Sequence, residues 1–181
     1  MAIGIICEFN PFHNGHKYLI QKAKSLVNEP VAVVMSTSFT QRGEIAITDK
    51  FTRAKSALLG GADLVKELPV AYAVSNAEVF AKSGVKILSS FSRLTHLAFG
   101  CENSNIELLK QTADAHKNTA VQSLVAKEMQ NGSYYPKAIE SAVRAIYGDK
   151  TAEILATPNN VLAVEYLKAL PSNISPLPIR R

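Results

Sequence analysis

The chain has 181 residues, 47% of them hydrophobic, enough to bury a full core without disulfide staples or a structural metal. Its 20 Lys and Arg against 15 Asp and Glu give a net charge of +5. The basic residues are scattered, so the balance permits an anionic partner without specifying nucleic acid. Cys7 and Cys101 exclude a secreted disulfide framework and lack metal-ligand spacing. With no signal peptide and no apolar run of about 18 residues, a reduced, soluble, cytoplasmic protein without a membrane partner is expected.

Ile3, Ile5 and Ile6 form an apolar run of strand length that Asn10 and Pro11 break. From Gly15 the spacing becomes helical, with Tyr18, Leu19, Ala23 and Leu26 expected on one inward face. Pro30 punctuates, residues 31–35 read as a second buried strand, and 36–44 form a polar, glycine-containing loop at its carboxyl end. Thr48 or Asp49 caps a helix expected to turn Phe51, Ala54, Ala57 and Leu58 inward, and Gly60-Gly61 ends it. Residues 62–67 are a third strand, in which Lys66 indicates a sheet edge or a strand end. Ser75 and Glu78 read as a capping box for a helix carrying Phe80, Val85, Ile87 and Leu88. A fourth strand at 95–100 ends in Gly100-Cys101-Glu102. Residues 106–130 read as helices, Gly132 breaks them, and Pro136 opens another helix through Ile146. Thr157-Pro158 starts another helix, and a short fifth strand lies in the proline-punctuated 174–181. This alternation predicts parallel pairing with right-handed crossovers.

The join between the first strand and first helix has the chemistry of a phosphate site. A helix amino terminus offers unpaired N–H groups and the positive end of the macrodipole, and Gly15 lets an anion approach the backbone. His13 and His16, three apart, fall on the same side of that turn. An imidazolium there is expected to donate hydrogen bonds to charge developing on a phosphoryl group. A lone His-x-x-His is ordinarily structural or superficial. The strand before, the glycine between and the helix after favour function here. Ligands of open parallel sheets bind beyond the carboxyl ends of the strands, where the loops after the first, second and fourth strands meet.

His13-Asn14-Gly15-His16 resembles the HxGH motif of the HIGH-type nucleotidyltransferases. The longer run Cys7-Glu8-Phe9-Asn10-Pro11-Phe12 leading into it resembles one branch of them, the bacterial tRNA(Met) cytidine acetate ligases. Gln41-Arg42-Gly43-Glu44, Gly61-Ala62-Asp63-Leu64-Val65 with Glu67-Leu68-Pro69, Phe99-Gly100-Cys101-Glu102, and Pro158-Asn159-Asn160 with Glu165-Tyr166 are similar to the same branch. The resemblance implies an α/β, Rossmann-like open parallel sheet of order 3-2-1-4-5, helices on both faces and an extra helical segment after strand 4. It implies one nucleotidyltransferase-like domain over 1–181 with a helical insertion at about 106–150, the family's carboxy-terminal domain being absent.

The implied reaction is ATP-dependent: acetate attacks the α-phosphate to give acetyladenylate, and the wobble cytidine of elongator tRNA(Met) takes the acetyl group at N4. Mg²⁺ accompanies ATP, with no dedicated metal motif in the chain. His13 and His16 are the implied catalytic residues. Cys7 to His16, Lys17, Gly100, Asn160 and Arg181 are the implied ATP contacts, with Asn159 and Arg180 as neighbouring alternatives. Arg42 and Glu44 are candidates on a substrate loop. Read without the resemblance, Asn160 is a helix cap, Lys17 a solvated lysine and Arg181 a frayed terminus. Cys7 and Cys101 are expected to be reduced and structural, near one another on neighbouring strands. Two other readings stand beside this one: a small-molecule adenylyltransferase using the same motif, and a non-catalytic nucleotide- or RNA-binding module.

Overall fold

The computed structural model describes residues 1–181. Strand and helix alternate through β1 (Ala2–Cys7), α1 (Asn14–Val27), β2 (Val31–Ser36), α2 (Lys50–Leu59) and β3 (Leu64–Leu68). The one-turn α3 (Val70–Ala73), α4 (Ala77–Ser89) and β4 (Leu94–Cys101) follow. A helical stretch then runs through α5 (Ile106–Ala115), α6 (Thr119–Gln130), α7 (Tyr135–Tyr147) and the short α8 (Asp149–Ala152) into a 3₁₀ turn at Glu153–Ala156. After it come α9 (Pro158–Ala169) and β5 (Ser175–Arg180). The five strands pair in parallel in the order β3-β2-β1-β4-β5, as expected.

Every residue of β2 is buried, the pattern of a parallel strand covered on both faces. Alternate side chains feed two cores. Ile3, Ile5, Val31, Val33 and Met35 pack with Ile20, Ala23 and Ala57 of α1 and α2. Ile6, Ala32 and Val34 pack with Phe80, Val85 and Leu88 of α4 and with Ala163, Val164 and Tyr166 of α9. Each such aliphatic side chain contributes about 1.5–3 kcal/mol when fully buried. A third cluster, with Val121, Val125, Ile139 and Val143, lies within the helical stretch. β3 is an edge strand, and the Lys66 that marked it is exposed.

Three local expectations are corrected. On α1 the inward residues are Ile20 and Ala23, whereas Tyr18 and Leu26 are exposed, because the helix meets the sheet along 16-20-23-27. On α2, Phe51 and Leu58 face outward and Arg53 is buried with Ala57. An arginine is tolerated there because its guanidinium donates to main-chain carbonyls of the site loop. The cap of α4 is Asn76, whose Oδ1 accepts from the Val79 N–H at 2.9 Å, while the Ser75 hydroxyl turns back to donate to the Ala71 carbonyl. The 106–130 stretch is helical as expected, and it divides where Asn118 caps α6 by accepting from the N–H groups of Ala120 and Val121.

Candidate active site

Between β1 and α1 the chain turns sharply, with Phe9 in the left-handed region at φ 48° and a cis Asn10–Pro11 bond. His13 is the N-cap of α1. Its Nδ1 accepts from the Gly15 N–H at 3.0 Å, and the His16 Nδ1 accepts from the His13 N–H at 3.3 Å. The two rings replace the Ser and Glu of an ordinary capping box. They stack with centroids 3.7 Å apart and planes 23° apart. With each Nδ1 held as an acceptor, the proton of a neutral ring sits on Nε2. Gly15 is required for this geometry: a Cβ there would lie 2.9 Å from Cε1 of His13.

His16 also packs against Phe9, with centroids 4.7 Å apart, and against Phe12, at 5.8 Å. Burial, and then the nearby charges of His13 and Arg181, lower its pKa to about 4, against a raising hydrogen bond at the Pro11 carbonyl. The expected imidazolium is therefore corrected for His16, which is neutral near pH 7 and donates through Nε2–H. Phe12 supports this turn from beneath and fits where Gly60 lacks a side chain.

The turn is fastened from three sides. Buried Arg53 donates from Nη1 to the Glu8 carbonyl at 2.6 Å and from Nε to the Thr48 carbonyl at 3.3 Å. The Glu8 carboxylate accepts from the Gln41 N–H at 2.5 Å, and the Asn10 Oδ1 from the Ile47 N–H at 2.7 Å. The loop after β2 is thereby tied across the site, presenting Arg42 and Glu44. On the opposite side the Arg181 N–H donates to the Cys101 carbonyl at 3.1 Å, and the Arg181 stem runs past Gly100, where a Cβ would meet it at 3.2 Å.

These walls enclose a cleft of about 610 Å³, within the ~300–1,000 Å³ usual for small-molecule sites. Cys7, Glu8, Phe9, Asn10, His13, Gly15, His16, Arg42, Glu44, Gly100 and Arg181 line it together, as does Arg180. Pro11, Phe12, Asn14 and Lys17 do not. Asn160 is buried away from it, its Oδ1 accepting from the N–H groups of Glu102 and Asn103, while its neighbour Asn159 forms part of the wall. Phe80, Phe99, Leu162, Tyr166 and Ile179 add apolar lining that was not among the contacts expected from the sequence. The Phe99-Gly100 and Glu165-Tyr166 segments held the available signal for two of them.

Neither thiol suits nucleophilic chemistry. Burial pushes Cys7 well up and Cys101 to about 11. They occupy opposite faces of the sheet, Cys7 against the α1–α2 core and Cys101 in the α4–α9 core, which corrects the expected proximity.

A 3-2-1-4-5 parallel sheet with paired histidine donors at its first helix start defines a nucleotidyltransferase-type domain. The sequence matches the HIGH Nucleotidyl Transferase family over residues 1–181, and the chain belongs to that family. It is 43% identical over 187 residues to the tRNA(Met) cytidine acetate ligase of Caldanaerobacter subterraneus subsp. tengcongensis, covering 99% of this chain and 47% of that protein. To the ligase of the same name from Staphylococcus aureus it is 40% identical over 184 residues, covering 99% and 46%. The crystal structure of Thermotoga maritima TmcAL bound with alpha-thio ATP is similar at a TM-score of 0.91 and 36% identity, covering 99% of this chain and 46% of that one. The chain spans about half the length of the curated relatives it matches.

Proposed function

We propose that this chain binds ATP and activates acetate as the adenylating part of a tRNA(Met) cytidine acetate ligase. The observation that carries this reading is the stacked His13–His16 pair at the start of α1, facing a cleft that Arg181 closes. Acetate oxygen attacks the α-phosphorus, the bond to the bridging oxygen breaks, and pyrophosphate leaves. The cytidine N4 amine then attacks the acetyl carbon and AMP departs. The Nε2–H groups of His13 and His16 and the N–H groups of the first helical turn stabilise charge on the α-phosphoryl oxygens. Arg181 and Arg180 meet the outer phosphates, and Arg42 suits the carboxylate of the acyl substrate. No covalent nucleophile is needed, since positioning and electrostatics suffice for such a transfer.

No group of three or more His, Cys, Asp or Glu side chains is placed to hold a metal ion. Mg²⁺ in this reading is carried by the triphosphate, whose charge it neutralises. No helix is long and apolar enough to cross a membrane. A tRNA substrate implies work in the cytoplasm. We assign residues 1–181 to one domain with a helical insertion at about 106–150, and tRNA selection to the length of the relatives that this chain does not span.

The deciding experiment is pyrophosphate release from ATP with acetate as the sole acceptor. Release only with phosphopantetheine or nicotinate mononucleotide would replace acetate ligation with cofactor-type adenylylation. Tight ATP binding without release from any acceptor would leave a binding module.

A further inference from the structure

We propose that Glu102 is a positioning residue that sets nucleotide selectivity by fixing the Asn159 side-chain amide with its oxygen toward the ligand; this rests on the ATP-binding reading above. Glu102 forms no part of the cleft wall. Its carboxylate instead gathers the start of α9. Oε1 accepts from Asn159 Nδ2 at 2.6 Å, while Oε2 accepts from the Thr157 hydroxyl at 2.9 Å and the Asn160 N–H at 3.1 Å. Asn160 closes the ring from the other side, its Oδ1 accepting from the N–H groups of Glu102 at 3.0 Å and Asn103 at 3.1 Å. Capping is one part of this, since Glu102 takes the Asn160 N–H that the N-cap Thr157 leaves free, whereas its bond to the Asn159 side chain adds nothing to the cap.

An asparagine amide can present either its NH₂ or its oxygen. A carboxylate only accepts, so Glu102 takes the NH₂ and leaves Oδ1 outward. Asn159 lines the cleft, and its Oδ1 receives no hydrogen bond from the protein. The wall thus carries an acceptor of fixed orientation. It is complementary to a donor on the nucleoside, an exocyclic base amine or a ribose hydroxyl, and opposes a carbonyl at that place. Asn159 is half-buried in the free protein; a ligand that covers its Oδ1 without offering a donor leaves that oxygen unpaired, so the wall disfavours analogues that lack the donor.

The test is calorimetric titration of this chain with ATP, inosine triphosphate, and the 2′- and 3′-deoxy forms of ATP. Wild type, Glu102→Gln and Asn159→Ala are compared. The side-chain amide that Glu102→Gln introduces donates as well as accepts, which frees the Asn159 amide to turn its NH₂ into the cleft. Wild type is expected to prefer ATP by about tenfold or more over the analogue lacking the matching donor. In both variants that preference should shrink to about threefold or less. Weak binding of inosine triphosphate identifies the amine, and weak binding of a deoxy form identifies the hydroxyl. An undiminished ATP preference in the variants, equal wild-type binding of all four ligands, or a uniform loss across them overturns the inference. No ATP binding by folded wild type refutes the underlying reading instead. Should Glu102→Gln melt, Glu102→Asp, which keeps a carboxylate but draws it back from the Asn159 amide, takes its place with the same expected loss of preference, and Asn159→Ala reports on the acceptor itself.

Discussion

Replacing His16 with alanine removes one of the two donors that the proposed function directs at the transferring phosphoryl group, and leaves the sheet untouched. Adenylate formation should fall by roughly 10²-fold or more, since loss of one such donor costs about 3 kcal/mol, with the circular dichroism spectrum unchanged. A variant turning over at the normal rate would remove His16 from the chemistry. The same residue has a pH signature. Its pKa of about 4 in the fold lies below the unfolded reference of 6.5, so the unfolded chain binds the additional proton between those values. His16 therefore contributes stability fully above pH 6.5, and that contribution is lost as the pH falls toward 4. Nitrogen-detected NMR should find the His16 ring neutral at pH 6 with its proton on Nε2. An imidazolium at that pH would overturn the assigned donor geometry.

Among the elements, α2 matters to the site through one residue that its sequence pattern concealed. Arg53→Met should destabilise the domain by about 2–4 kcal/mol, because it strips hydrogen bonds from the Glu8 and Thr48 carbonyls in a buried setting. It should also raise KM for ATP more than it lowers kcat, by loosening the turn that carries Phe9 and Asn10. Chemical denaturation and steady-state kinetics check the two halves of this expectation. The alternation of strand and helix, the β1–α1 join and the edge position of β3 were legible because apolar runs, Gly15 and Lys66 act locally, whereas the strand order came only with the family resemblance. Arg53 was not, since a buried arginine looks like a solvated one until its carbonyl partners, far off in sequence, are brought to it. Nor could sequence choose between Asn159 and Asn160. Both follow Pro158, and only the approach of Glu102 separates the amide that faces the cleft from the one that braces the loop.

For the whole molecule, the basic residues are scattered along the sequence while one cleft collects Arg42, Arg180 and Arg181. Selection of a tRNA uses a wide positive surface, which a single nucleotide-sized cleft does not supply. The chain should accordingly form acetyladenylate with ATP and labelled acetate, yet acetylate elongator tRNA(Met) weakly or not at all. Efficient, tRNA-specific transfer would show that this domain carries the RNA surface after all. The uncharged state of His16 has one more consequence, in ionic strength. Mobile ions screen the exposed arginines across the cleft, whereas a neutral N–H dipole packed beside Phe9 offers them little to screen. Raising salt tenfold from a dilute buffer should therefore weaken nucleotide capture while leaving the rate of the bound complex nearly unchanged. One cleft would then show two salt responses, divided along the line between its arginine wall and its histidine wall.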